Sequence, residues 1–174
     1  MDYVETVLVP QERLGVLIGE HGKTKKLIEE RTGLNLEIDS KTGEVKIKRT
    51  DENAAAALRA TDVVKALARG FSPEQSLELL SDDIYLRIVE LQDIVRNDKD
   101  LIRQRARLIG TKGKARHMLE EYTGTHIVIY GKTVAIIGDA ESVELAADAV
   151  VKIAGGTPHG DVYKGIQKRQ SGWA

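Results

Sequence analysis

Leu14-Gly15-Val16-Leu17-Ile18-Gly19-Glu20-His21-Gly22-Lys23 and, 91 residues further on, Arg105-Ala106-Arg107-Leu108-Ile109-Gly110-Thr111-Lys112-Gly113-Lys114 are two renderings of one pattern. The match runs past the glycines. Leu27-Ile28-Glu29-Glu30 meets Met118-Leu119-Glu120-Glu121, Thr32-Gly33 meets Thr123-Gly124, and Leu36-Glu37-Ile38 meets Ile127-Val128-Ile129. Val63-Val64-Lys65 meets Val150-Val151-Lys152 at an offset of 87, so the second copy has lost residues between strand and last helix. Self-similarity of this reach means that one unit fills the chain twice.

Within each copy the apolar positions switch between strand-like alternation and helical spacing, in the order strand, helix, helix, strand, strand, helix. In the first, Tyr3 to Val9 is a β-branched run ended by Pro10, which opens a short helix through Leu17. Lys23 to Arg31 is the second helix, with Gly33 at its C-terminal cap. Leu34 to Asp39 and Val45 to Lys48 flank a Lys41-Thr42-Gly43 turn, and Asp51 caps an Ala-rich helix running to Ala68. The second copy repeats the order with Ile84 to Val89, Asp98 to Ile109, Lys114 to Tyr122, a hairpin turning at Gly131-Lys132, and Glu141 to Ile153. The domain reading is therefore 1–70 and 82–156 for the copies, 71–81 for a linker with its own helical turn, and 157–174 for a basic tail. The fold class is α+β, with the copies packed by a pseudo-two-fold.

Composition narrows the chemistry. The chain has 174 residues, 41% hydrophobic and 30% charged, a net charge of −1, one Phe, one Trp and no cysteine. Without cysteine there is no disulfide framework, thiolate metal site or cysteine nucleophile, and the core must be aliphatic. Met1-Asp2-Tyr3-Val4-Glu5 lacks the profile of a signal peptide, and no apolar run approaches the ~20 residues that span a bilayer. A cytoplasmic, monomeric protein without membrane partners is expected, since each copy supplies the other with an internal neighbour.

Two helices joined by Gly-x-x-Gly with a lysine directly after form an anion-binding arrangement. Glycine lets the backbone turn tightly and approach a phosphate, and the second helix aims its free N–H groups and positive dipole at it. Lys23 or Lys114 adds a full charge. With Gly19-Glu20-His21-Gly22 and Gly110-Thr111-Lys112-Gly113 in these positions, the sequence resembles the KH family of single-stranded nucleic-acid binders, over about 155 of the 174 residues and in the type I order. The resemblance implies that each loop clamps the backbone of about four nucleotides against an apolar groove. Ile18, Leu36 and Ile38 would floor the first groove, and Ile109, Ile127 and Ile129 the second. Low aromatic content suits aliphatic grooves better than stacking platforms.

Charge separates the copies. From Lys99 to His117 stand Lys99, Arg103, Arg105, Arg107, Lys112, Lys114 and Arg116 against Asp100 alone, whereas Gln11 to Arg31 mixes Lys23, Lys25 and other cations with Glu12, Glu20, Glu29 and Glu30. The second loop is the better phosphate site, and Glu20 departs from the neutral or basic residues usual in a KH loop. A closer resemblance rests on the tandem arrangement and the tail Gly155-Gly156-Thr157-Pro158-His159-Gly160-Asp161-Val162-Tyr163, followed by a basic helix candidate at Lys164 to Arg169. These look like the archaeal two-KH pre-ribosomal proteins related to the eukaryotic partner-of-Nob assembly factor of the Dim and Krr type. That family implies binding near the 3′ end of small-subunit rRNA in ribosome biogenesis or translation initiation, with a Nob-type endonuclease or initiation factor two as partners and no cofactor. The tail has a second reading as a helix packed across the second copy.

Two rivals remain. A protein-docking scaffold with degenerate grooves fits Glu20 and the balanced net charge. A nucleotide-hydrolysing enzyme is suggested by Gly22-Lys23-Thr24, but a phosphate-binding P-loop needs glycine where Leu17 stands, and the second copy reads Gly113-Lys114-Ala115 without the magnesium-holding hydroxyl. His21, His117, His126 and His159 show no metal-ligand spacing, Asp98 and Asp100 read as caps and solvated turns, and the Glu29-Glu30 and Glu120-Glu121 pairs read as exposed helix faces.

Overall fold

A computed structural model describes residues 1–172 and divides the chain between Asp82 and Asp83 into two compact units. Trp173 and Ala174, the end of the expected tail, lie outside the described residues.

The first unit runs β1 (Tyr3–Leu8), α1 (Gln11–Ile18), α2 (Lys23–Thr32), β2 (Leu36–Ile38), β3 (Glu44–Arg49), α3 (Ala54–Ala68) and α4 (Pro73–Leu77). Its sheet is antiparallel in the order β1-β3-β2, with Val7 opposite Val45 and Leu36 opposite Ile47. On β3, Val45 and Ile47 are fully buried while Lys46 and Lys48 are exposed, so the period-two pattern turns one face onto the core. Leu17, Ile28, Val63 and Leu67 complete that core from the helices, and Ala57, Ala60 and Ala66 give α3 a buried face of small residues.

The second unit runs β4 (Tyr85–Glu90), α5 (Asp98–Ile109), α6 (Lys114–Thr123), β5 (His126–Tyr130), β6 (Thr133–Gly138), α7 (Ala140–Ala154) and α8 (His159–Gln170), with sheet order β4-β6-β5. Each unit therefore holds the expected β-α-α-β-β-α order.

Three local readings change. The N-cap of α3 is Asn53, whose Oδ1 accepts from Thr50 N, while Asp51 faces the amino terminus 3.4 Å away. Residues 71–81 fold onto the first unit: Phe71 is fully buried, and Ser72 and Gln75 close a reciprocal capping box on α4. Arg13 of α1 holds this corner by donating to the carbonyls of Leu67 at 2.8 Å and Phe71 at 2.6 Å. The basic helix is longer than Lys164 to Arg169, since Pro158 caps it and Val162 and Ile166 enter the core of the second unit.

Candidate nucleic-acid interface

Each Gly-x-x-Gly segment forms a short 3₁₀ turn between its two helices. Gly19 (φ 76°, ψ 172°) and Gly110 (φ 74°, ψ 175°) occupy a region of backbone space essentially closed to other residues. A Cβ on Gly19 would fall 2.4 Å from Thr24 Oγ1, and one on Gly110 would fall 2.7 Å from the backbone nitrogen of Ala115. The chain then passes through left-handed His21 (φ 53°) or Lys112 (φ 55°) and left-handed Gly22 or Gly113 into the following helix. Corresponding angles in the two loops agree within a few degrees although the side chains differ.

Those side chains decide the electrostatics. Thr111, Lys112 and Lys114 are exposed, and among the described residues neither lysine has an acidic partner. In the first loop Glu20 Oε1 sits 3.7 Å from His21 Nε2, both exposed, and Lys23 stands exposed beside them. Lys25 and Arg116 occupy matching positions and pair with Glu29 at 3.3 Å and Glu120 at 2.5 Å.

These glutamates are not the exposed faces read from sequence. The Glu29 and Glu120 side chains are only 20% and 17% exposed, and in each the second carboxylate oxygen accepts a 2.9 Å hydrogen bond from an N–H at the start of the neighbouring strand, Leu36 N of β2 or Ile127 N of β5. One carboxylate thus ties the loop's helix to the groove strand and holds the cation beside the loop. Glu30 and Glu121 are exposed, as read.

The expected groove floor is partly corrected. Ile18, Ile38, Ile109 and Ile129 are half-buried, but Leu36 and Ile127 are 3% and 2% exposed and belong to the core. Arg107, expected as a phosphate ligand, is engaged within the fold. Its guanidinium donates to Gln104 Oε1 at 2.8 Å, to the Ile153 carbonyl at 2.6 Å and to the Thr157 carbonyl at 2.7 Å, binding α5 to the end of α7. Asp100, read as a solvated turn, is buried and accepts from Arg96 N, Gln104 Nε2 and Arg103. The Arg96 N–H above all, then Gln104 and Arg103, hold its carboxyl below the ordinary value against the opposing effect of burial.

The tail, singled out in sequence for its family likeness, also places side chains beside the second loop. His159 Nε2–H donates to the Arg107 carbonyl at 2.8 Å, fixing the start of α8 beside the second loop. The ring of Tyr163 lies 5.2 Å from that of Tyr122 and 6.1 Å from His159. A tyrosine one helical turn after a histidine was the available signal. Among the described residues, no three His, Asp or Glu side chains are grouped to hold a metal, and no helix is long and apolar enough to cross a membrane.

The β-α-α-β-β-α order with a Gly-x-x-Gly turn between its first two helices defines a type I KH module, present twice. The family described as eukaryotic type KH-domain (KH-domain type I) matches residues 85–171, and the KH domain family matches residues 4–61. A KH domain-containing protein of Methanocaldococcus jannaschii is 39% identical over 96% of this chain and 74% of its own length. The pre-rRNA-processing protein pno1 of Emericella nidulans is 31% identical over 95% of this chain and 67% of its own. Among solved structures, Dim2p from Pyrococcus horikoshii superposes with a TM-score of 0.88 at 46% identity, over 96% of this chain and 99% of that one. A chain of the a/eIF2alpha-aDim2p-rRNA complex from the same organism gives 0.90 at 45% identity, over 98% and 96%. The chain belongs to the two-KH family that includes archaeal Dim2p and eukaryotic pno1.

Proposed function

We propose that this chain is a non-catalytic RNA-binding protein that holds single-stranded small-subunit rRNA near its 3′ end in ribosome biogenesis or translation initiation. The observation that carries the reading is the second loop. Gly110 and Gly113 shape a turn at the N-terminus of α6, where the helix dipole favours an anion, and Lys112 and Lys114 stand there with no acidic partner among the described residues. Arg116 stands at the edge of this site on its Glu120 pair, and half-buried Ile109 and Ile129 offer apolar surface to unpaired bases. The relatives support the ligand class: Dim2p has been solved with rRNA and a/eIF2alpha, and pno1 is named for pre-rRNA processing. The α subunit of initiation factor two is accordingly the protein partner we infer. Glu20 makes the first loop an auxiliary site, because its carboxylate repels a phosphate that Gly19, Gly22, Lys23 and Lys25 would otherwise favour.

Fluorescence anisotropy with short RNA from the small-subunit rRNA 3′ end, a scrambled strand and a duplex, each at two salt concentrations, tests this. Single-strand binding that weakens with salt, is lost in Thr111→Asp/Lys112→Asp and survives His21→Asp is the expected result. Absence of salt-sensitive binding to every RNA would replace the reading with a protein-docking scaffold.

A further inference from the structure

Beside the second loop lies an open depression of about 270 Å³ whose lining includes Arg107, Thr111, Lys114, Met118, His159 and Tyr163. Its lining comes from the end of α5, the loop, α6 and α8, and neither Ile109 nor Ile129 of the expected groove is part of it. We propose that this depression is a nucleobase pocket, taking one unpaired base of a strand whose phosphate sits on the second loop. The inference rests on the RNA-binding reading above and adds a site to it.

Three features select this occupant. First, Thr111 and Lys114 border both the loop and the depression, so a nucleotide held there by its phosphate has its base within reach of the opening. Second, the lining is chiefly apolar, with the Met118 thioether, the Ala115 methyl and the Tyr163 ring offering polarisable surface to a flat heteroaromatic ring. Third, hydrogen-bonding capacity is left over inside. The Tyr163 hydroxyl has no partner among the described residues, and burial raises its pKa and keeps it a neutral phenol that donates and accepts. His159 spends Nε2–H on the Arg107 carbonyl, which leaves Nδ1 as an acceptor. Val162 and Ile166 anchor α8 in the core, so the wall it provides is already in place.

The matching surface of the first unit argues the same point by contrast. Leu27 stands where Met118 does, but there Glu20 and Glu30 offset Lys23 and Lys26, so the lining carries no surplus of positive charge for a phosphate-bearing guest.

The test scans the same RNA with a single abasic nucleotide at each position in turn, against full-length wild-type protein, Tyr163→Ala and Tyr163→Phe. One position should cost wild type about 5- to 150-fold in affinity, the range for a stacked base, and cost Tyr163→Ala nothing further, while Tyr163→Phe keeps most of the loss. A 2-aminopurine placed at that position, read on wild-type protein alone, should become protected from acrylamide quenching on binding. If wild type binds the intact RNA but every abasic position costs Tyr163→Ala as much as wild type, or the probe stays accessible, the pocket takes no base and is open to a protein side chain instead. If wild type binds no RNA, the RNA-binding reading falls with it.

Discussion

Gly110 and Gly113 share a φ near 75°, but ψ separates them, at 175° and 14°. The first combination is available almost only to glycine, and its missing Cβ would collide with Ala115; the second is ordinary left-handed backbone, where a Cβ would meet only the tip of the Arg116 side chain, at 3.8 Å. Gly110→Ala should therefore destabilise the second unit by ~1–3 kcal/mol and abolish RNA binding, whereas Gly113→Ala should cost only ~1–2 kcal/mol and leave binding measurable. Urea unfolding and anisotropy on the two variants check this. The need for glycine was legible in sequence, because both loops print the same spacing. The employment of each cation was not. Arg107 sits three residues before the loop and reads as a phosphate ligand, but whether a guanidinium meets RNA or the carbonyls of Ile153 and Thr157 depends on where α7 ends in space. Leu36 and Ile127 were misplaced for a related reason: alternation says which face of a strand is apolar, and cannot say how far along that face the helices cover it.

At the scale of elements, α5 is held at both ends by side chains. At its start, Asn97 caps Asp100 N, and Asp100 accepts from Arg96 N in return. Because folding holds the Asp100 carboxyl below its ordinary value, the stabilisation is present above the ordinary carboxylate range and is lost as pH falls through the folded value. Asp100→Asn should melt lower than wild type at neutral pH, and the gap should shrink below about pH 4 in thermal melts run across the acid range. At its end, Arg107 and His159 bind α5 to the last turn of α7 and the start of α8. Ending the chain after Thr157 removes Val162 and Ile166 from the core, at ~1.5–3 kcal/mol for each side chain, and should lower the urea midpoint of the second unit while the first keeps its own. Most elements were readable because capping and period agree twice over. Residues 71–81 read as a linker in sequence because a five-residue helix leaves too short a periodic pattern to mark it, and fully buried Phe71 has no apolar neighbours in sequence to announce its burial.

Over the whole molecule the net charge of −1 says little, because acids and bases are distributed unequally between the two loops. For single strands log K falls with log salt by roughly 0.7 per phosphate neutralised. Lys112→Ala/Lys114→Ala should reduce that slope by roughly 1.4, and Lys23→Ala by much less, since Glu20 already offsets the first loop. Anisotropy titrations across a salt series measure both. The two-unit plan was the most legible property of all, since a pattern that returns after 91 residues with its glycines, its Thr-Gly stop and its strand intact marks the repetition of a whole folding unit.

The two loops trace nearly the same backbone, to within a few degrees, while one displays Glu20-His21 and the other Thr111-Lys112. Shape and charge are thus inherited separately in this molecule. The paired glycines set the backbone and leave the two side chains between them free to differ, within the limit that the second stands in left-handed backbone, which β-branched residues disfavour. Glu20→Thr/His21→Lys should therefore raise the affinity of the first loop for phosphate without altering the backbone that carries it.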